Sequence, residues 1–199
     1  MEQKIIARGA EAVIKKQGNN IQKFRVEKGY RLPILDEKIR RLRTKREIKI
    51  IEKLSKVIPV PKIIETSTHQ MTMSYIPGKK LSEHLEKLQK ISKKIGENLA
   101  KMHDIGIIHG DLTTSNMIYN EKEKKLYFID FGLSFHSDKI EDKAVDLHLI
   151  KEALEAKHPK IFKKAFKQVL KGYEKSTNSE KVLKQLEKVE KRGRYKAQF

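Results

Sequence analysis

A chain of 199 residues is long enough for one sizeable core or for two small lobes around a cleft, and 38% apolar with 36% charged residues in regular patterns argue against disorder over most of its length. The absence of cysteine excludes disulfides and thiolate metal sites, and no apolar run approaches the roughly 20 residues that span a bilayer, so the expected location is the cytoplasm. The formal net charge of +19 fits a polyanionic partner such as RNA or an acidic protein surface; the alternative is a heat-adapted composition whose lysines only coat the surface.

The opening residues, MEQKIIARG, lack the apolar core of a signal peptide. KIIAR, EAVIKK and IQKFRV then read as short strands, split by Gly9 and by QGNN. A helix is predicted from Asp36 to about residue 57, capped by Asp36 and ended by Pro59 and Pro61. Its inward stripe is expected to run through Ile39, Leu42, Glu47, Ile50, Ile51 and Leu54. An acid on that face needs a cation or it goes neutral, and Lys23 in IQKFRV is within reach. The alternative is a Glu47 that reaches solvent beside Lys45 and Arg46. KIIET and QMTMSYI are two further strands, and Pro77–Gly78 breaks the pattern.

From Leu81 the pattern turns helical, with Leu88, Ile91, Ile95, Leu99 and Met102 on one face and Gly106 at the end. The loop in IIHGDLTTSNMIY follows, then a hairpin of MIY and KLYFID around NEKEKK. After a start at Pro159, a wide apolar stripe runs through Ile161, Phe162, Ala165, Phe166, Val169, Leu170 and Tyr173. Val182, Leu186 and Val189 mark a last amphipathic segment, which leads into KRGRYKAQF, a basic tail at 191–199 without core residues. The expected class is α+β. A β-rich front lobe with one main helix covers 1–76, a hinge lies near 74–78, and a reduced helical back lobe covers 77–199. Small ligands bind in clefts of that kind.

The loop carries Asp111 and Asn116, and Asp130 follows at the end of a strand in YFIDFG. If the hairpin closes, two carboxylates and an amide oxygen converge, a set of hard oxygen ligands that suits Mg2+ sharing phosphates and water. Singly, an Asp or Asn in a loop is a turn former or a cap; the joint spacing is what points to chemistry.

HGDLTTSN resembles the catalytic loop of kinases, DFG at 130–132 their metal-binding motif, and Lys23 with Glu47 their strand–helix ion pair. The resemblance implies an ATP and Mg2+ site. Lys23, held by Glu47, would contact phosphates, Asn116 and Asp130 would hold the metal, and Asp111 would orient or deprotonate the attacking group. It also implies a phosphate loop with Gly9, Glu11 and Val13, a gatekeeper at Met73, adenine-binding backbone at Ser74 and Ile76, and a pocket floor at Ile118. His109 would support the loop, and Asp146 would accept loop amides or lie on a helix surface as a plain acid. RGAEAVI, KGYRLPILD, HGDLTTSNMIY, FIDFGLS, EDKAVDL and RGR together resemble the small atypical kinase subunit of the KEOPS (EKC) complex, related to RIO kinases, over essentially the whole chain.

That family works in threonylcarbamoyl modification of adenosine in certain tRNAs. The likeness implies a threonylcarbamoyl-transferase partner on the back lobe and a small helper protein on the front lobe. tRNA would meet the basic surface and tail, where Arg192, Arg194 and Lys196 stand; the alternative is a solvated, frayed terminus. Arg40, Arg41, Arg43 and Lys45 form either a further basic patch or a solvated face. Several positions depart from ordinary protein kinases. The phosphate loop has one glycine, and Glu11 there would oppose phosphates. Gly110 and Thr113 replace an arginine and a lysine, and the activation segment is cut short. Slow serine/threonine phosphoryl transfer with autokinase ability, or ATP hydrolysis coupled to a partner, is then expected, with weakened recognition of peptide substrates. Two other readings are a small-molecule phosphotransferase of the aminoglycoside or choline type, and a scaffold that binds nucleotide or tRNA without chemistry.

Overall fold

The computed structural model describes residues 4–9, 11–87 and 89–196. The β-branched and apolar alternation of the first 74 residues builds one antiparallel sheet in the order β1-β2-β3-β5-β4. Its strands are β1 (Lys4–Arg8), β2 (Ala12–Gln17), β3 (Asn20–Arg25), β4 (Ile63–Thr66) and β5 (Gln70–Ser74). A tight turn at Gly18, with φ of 56°, joins β2 to β3 and sets Ile14 opposite Lys23 and Ala12 opposite Arg25.

The long helix α1 spans Pro33–Leu54. It starts three residues earlier than predicted. Pro33 opens it, where a missing N–H costs nothing, and Asp36 is no cap but a buried acid in the first turn. There Asp36 accepts hydrogen bonds from Arg40 at 2.6 Å and Arg31 at 3.4 Å. The buried stripe is Asp36, Arg40, Thr44, Glu47, Ile50, Ile51 and Leu54. Leu42, expected inside, is 51% exposed. The first half of the buried face is polar because it packs over charged side chains of the sheet and loop; only the last two turns join the apolar core.

The chain crosses to the second lobe through a linker at 75–78. Gly78 is required there: a Cβ would stand 2.4 Å from the carbonyl oxygen of Tyr119. β6 (Lys79–Lys80) joins β8 (Met117–Asn120) and β9 (Lys125–Phe128) in the order β6-β8-β9, so MIY and KLYF pair as the hairpin anticipated. β7 (Ile107–Ile108) pairs with β10 (Phe135–His136).

The helices are α2 (Leu81–His84), α3 (Ser92–Asp104), α4 (Ile140–Lys157), α5 (Phe162–Tyr173) and α6 (Ser179–Lys196). Ile95, Leu99 and Met102 are buried as the spacing predicts, while Leu88 lies outside the described residues. α5 begins three residues after Pro159. Where α3 crosses α5, Gly96 and Gly172 meet backbone to backbone: a Cβ on Gly96 would stand 1.9 Å from the Val169 carbonyl oxygen. The segment 191–196, expected to be a tail, continues α6. No described helix is long and apolar enough to cross a membrane.

Candidate active site

Strand alternation sends Ala12, Ile14, Lys23 and Arg25 to one face of the sheet. They line a cleft of about 390 Å3 together with Gly9, Glu11, Arg43, Asp111, Asp130 and Gly132. The same alternation turns Val13 to the opposite face, across from Phe24, so Val13 does not line the cleft; its neighbours Ala12 and Ile14 do.

Glu47 is 1% exposed, and its position on the inner face of α1 is explained by two cations. Lys23 Nζ donates to its Oε1 at 2.7 Å, and Arg25 Nη2 donates to its Oε2 at 2.6 Å. Arg25 was not foreseen, although it stands on the same strand face as Lys23. Lys23 also donates to Asp130 Oδ1 at 2.6 Å, so a residue of the sheet and one of the second lobe meet across the cleft. Burial works to lower the Lys23 pKa, but the two carboxylates outweigh it and hold the ammonium above its ordinary value. Burial likewise works to raise the Asp130 pKa, and the Lys23 ammonium overrides it, so the carboxyl stays below its ordinary value.

The loop before the hairpin is held from behind. Gly110 has φ of 77°, and a Cβ there would lie 2.7 Å from the Leu133 carbonyl oxygen, so no arginine fits this position. Asp146 is fully buried. It accepts the amides of His109 at 2.6 Å and Gly110 at 2.9 Å, the first of its two expected roles. His103, which sequence reasoning missed, completes this support: Nε2 meets Asp146 at 3.3 Å and Nδ1 meets the Tyr173 hydroxyl at 2.8 Å.

His109 Nδ1 accepts the Asp111 amide at 3.3 Å, and Nε2 donates to the Ile129 carbonyl at 3.3 Å. That pattern requires a neutral ring, protonated on Nε2. Burial pushes both histidines below their ordinary value of 6.5. Their folded values are depressed, so the stability they contribute is full above about pH 6.5 and is lost as pH falls toward the folded values. Thermal melts should therefore be flat above about pH 7 and fall below about pH 6, by up to roughly 1 kcal/mol per pH unit for each histidine. His103→Gln should reduce that acid slope, leaving the share of His109.

Asp111 is exposed at the cleft. Asn116 Nδ2 donates to both its carbonyl oxygen and its Oδ2, each at 2.9 Å, which turns the Asn116 amide oxygen the other way. The Ile129 amide donates to the Asn116 backbone at 3.0 Å, tying the loop to the segment before Asp130. Asp130 has φ of 60°, a left-handed conformation that a non-glycine residue adopts only when its surroundings impose it. Phe131, 1% exposed and 5.1 Å from the His109 ring, anchors this turn and leaves the Asp130 carboxylate facing the cleft.

No group of three or more His, Asp or Glu among the described residues could hold a metal alone. One carboxylate and one amide oxygen suit Mg2+, which takes its other ligands from phosphates and water.

Several expectations need correction. Glu11 is not an unopposed charge: Arg43 bonds it at 2.6 Å and Arg31 at 3.2 Å. Burial works against ionisation there, and the two arginines outweigh it, so the carboxyl sits below its ordinary pKa. Arg40 is buried and paired with Asp36 and Glu27, and Arg43 lines the cleft, so the four basic residues of α1 are not one solvated patch. Arg192 pairs with Glu141 at 2.6 Å; the side chains of Arg194 and Lys196 lie outside the described residues.

At the linker, Met73 is 9% exposed in β5 and Ile76 is also buried. The Ser74 amide donates to the Lys62 carbonyl, so that N–H is not available to a ligand. Ile118 stands in β8 against Gly78. None of these four lines the cavity itself, which is confined to the half of the cleft beyond Lys23.

A model of the RIO domain matches residues 4–147. The KEOPS complex subunit Bud32 of Pyrococcus abyssi is 43% identical over 187 residues, a match that covers 88% of this chain and 84% of that protein. A probable bifunctional tRNA threonylcarbamoyladenosine biosynthesis protein of Methanobrevibacter smithii is 40% identical over 200 residues. That match covers 96% of this chain but 36% of the relative, so the chain spans about a third of such bifunctional proteins. Among solved structures, the Rio2 kinase–ADP/Mg2+-phosphoaspartate complex from Chaetomium thermophilum superposes with a TM-score of 0.59 at 18% identity. It covers 97% of this chain and 72% of that one, and it shows a shared protein-kinase-like fold.

Proposed function

The chain belongs to the RIO-domain family and, within it, to the family of the KEOPS subunit Bud32, and from that membership we propose that it is an atypical ATP- and Mg2+-dependent kinase or ATPase serving threonylcarbamoyl modification of tRNA. The observation that carries this reading is Lys23 bridging Glu47 and Asp130, in a cleft that Asp111 also lines. The front lobe, 1–76, supplies the cation, and the back lobe, 77–199, supplies the acids and the amide.

In this reading adenine lies against the linker, with Met73 behind it, the Ser74 carbonyl and the Ile76 backbone at its edge, and Ile118 below. Lys23 takes phosphate oxygens. Asn116 and Asp130 hold Mg2+, which would neutralise phosphate charge. Asp111 orients the attacking hydroxyl or water, with Asn116 fixing its rotamer. The short connection from Gly132 to α4 offers no platform for a long peptide, which favours turnover coupled to an assembly over general protein phosphorylation. The back lobe meets the threonylcarbamoyl-transferase, the front lobe a small helper protein, and exposed basic surface the tRNA.

ATP turnover by the chain alone, with the other KEOPS subunits, and with tRNA added tests this. Stimulation by the assembly is the expected result. Turnover raised only by an amino sugar or a choline-type alcohol would replace the reading with a small-molecule phosphotransferase. Nucleotide binding without turnover under any condition would leave a scaffold.

A further inference from the structure

Arg25 lines the cleft and has no part in the roles above. It follows Lys23 by two residues on the same strand face, so it stands about 6.6 Å farther along β3. That direction leads away from the linker, because the other end of β3, at Asn20, is the one paired with Ser74. A ligand reaching inward from the linker therefore meets Lys23 first and Arg25 beyond it.

The Arg25 side chain is 4% exposed. One of its donors is spent on Glu47, while the buried Nε has no hydrogen-bond partner. Gly132 adds no side chain of its own before both cations: a Cβ there would lie 3.2 Å from Asp130 Oδ1, 3.6 Å from Lys23 Nζ and 3.7 Å from Arg25 Nη2. Charge balance gives the second argument. Lys23 and Arg25 are matched by Glu47 and Asp130 only while Asp130 faces Lys23. If Asp130 held a metal ion, two cations would share the single carboxylate of Glu47, and one positive charge beside Gly132 would be left for an anion. Thr113 stands where a lysine would otherwise supply such a charge from the loop.

We propose that Arg25 is a second phosphate-binding cation that reads the terminal phosphoryl group of a nucleoside triphosphate and so distinguishes triphosphate from diphosphate. This rests on the nucleotide reading of the cleft. The competing role for Arg25 is a clamp on Glu47 that only positions Lys23.

The affinities of wild type, Arg25→Gln and Arg25→Lys for ADP and for a non-hydrolysable ATP analogue, each with Mg2+, separate these roles. Arg25→Gln should weaken the triphosphate analogue about tenfold or more and ADP about twofold or less, the range expected for losing a hydrogen bond to a charged group. Arg25→Lys should recover part of that loss. Equal weakening of both nucleotides, or no weakening of either, overturns the proposal. Should Arg25→Gln fail to fold, Arg25→Lys keeps a charge beside Glu47 but lacks the planar fork. A selective loss of the triphosphate in that variant supports the proposal, and a parallel or absent loss overturns it. A wild-type protein that binds neither nucleotide would instead remove the nucleotide reading itself.

Discussion

Asp111→Ala should lower ATP turnover by about 10^2- to 10^4-fold, the span associated with losing a positioned acid–base group, and should leave thermal stability nearly unchanged. The two halves of this expectation have separate causes. The carboxylate is exposed, so its removal leaves no buried group unpaired, and surface changes of that kind shift stability by about 0.5 kcal/mol or less. Asn116 also keeps its second hydrogen bond, to the backbone oxygen of residue 111, so the loop retains its shape. Nucleotide affinity should hold as well, because Lys23 and Asp130 are untouched. Stopped turnover with an unchanged melting curve is the supporting result. Equal turnover in both proteins would remove Asp111 from the chemistry.

Gly172→Ala should lower stability strongly, as should Gly96→Ala on the facing helix. A single methyl group there would stand 2.1 Å from the Lys93 carbonyl oxygen and 2.9 Å from the Glu97 amide nitrogen, both fixed backbone atoms of α3. No rotamer relieves such a contact, so the two helices must separate by more than an ångström and open the packing of Leu99, Val169 and Tyr173. Overpacking typically costs about 1–3 kcal/mol, and a clash with fixed backbone puts this one near the upper end, about 3 kcal/mol, which for a chain of this size lowers the melting temperature by about 6–12 °C. Thermal melts of the variant at neutral pH check this, and a shift of about 2 °C or less would mean that the crossing is not tight. The effect should reach the site too, since Tyr173 is the far end of the hydrogen-bond chain through His103 and Asp146 to the loop.

Much of this architecture was legible in the sequence because it rests on local periodicity. The five strands, the hairpin at 117–128 and the stripe of α5 follow from alternation and helical spacing alone. Glu47 was legible for the opposite reason, as an acid on an inward helical face that demanded a cation. What was missed depends on tertiary partners. Leu42 fits an apolar stripe, yet the sheet offers α1 a charged surface there, and the helix rotates its polar side inward. Val13 and Ile14 are adjacent and equally apolar, and only the register with β3 decides which of them faces the cleft. His103 looks like any polar residue late in a helix until α4 and α5 bring Asp146 and Tyr173 to its two nitrogens. Residues 191–196 carry no apolar pattern of their own, and they stay helical as the continuation of α6.

The cluster of Lys23, Arg25, Glu47 and Asp130 sums to zero charge. None of the +19 therefore originates in that cluster. Any attraction for a polyanion would come from lysines and arginines outside the cluster, where dissolved ions shield exposed charges within about 10 Å. Added salt should therefore weaken any attraction at long range more than the buried ion pairs of Lys23 and Arg25 with Glu47.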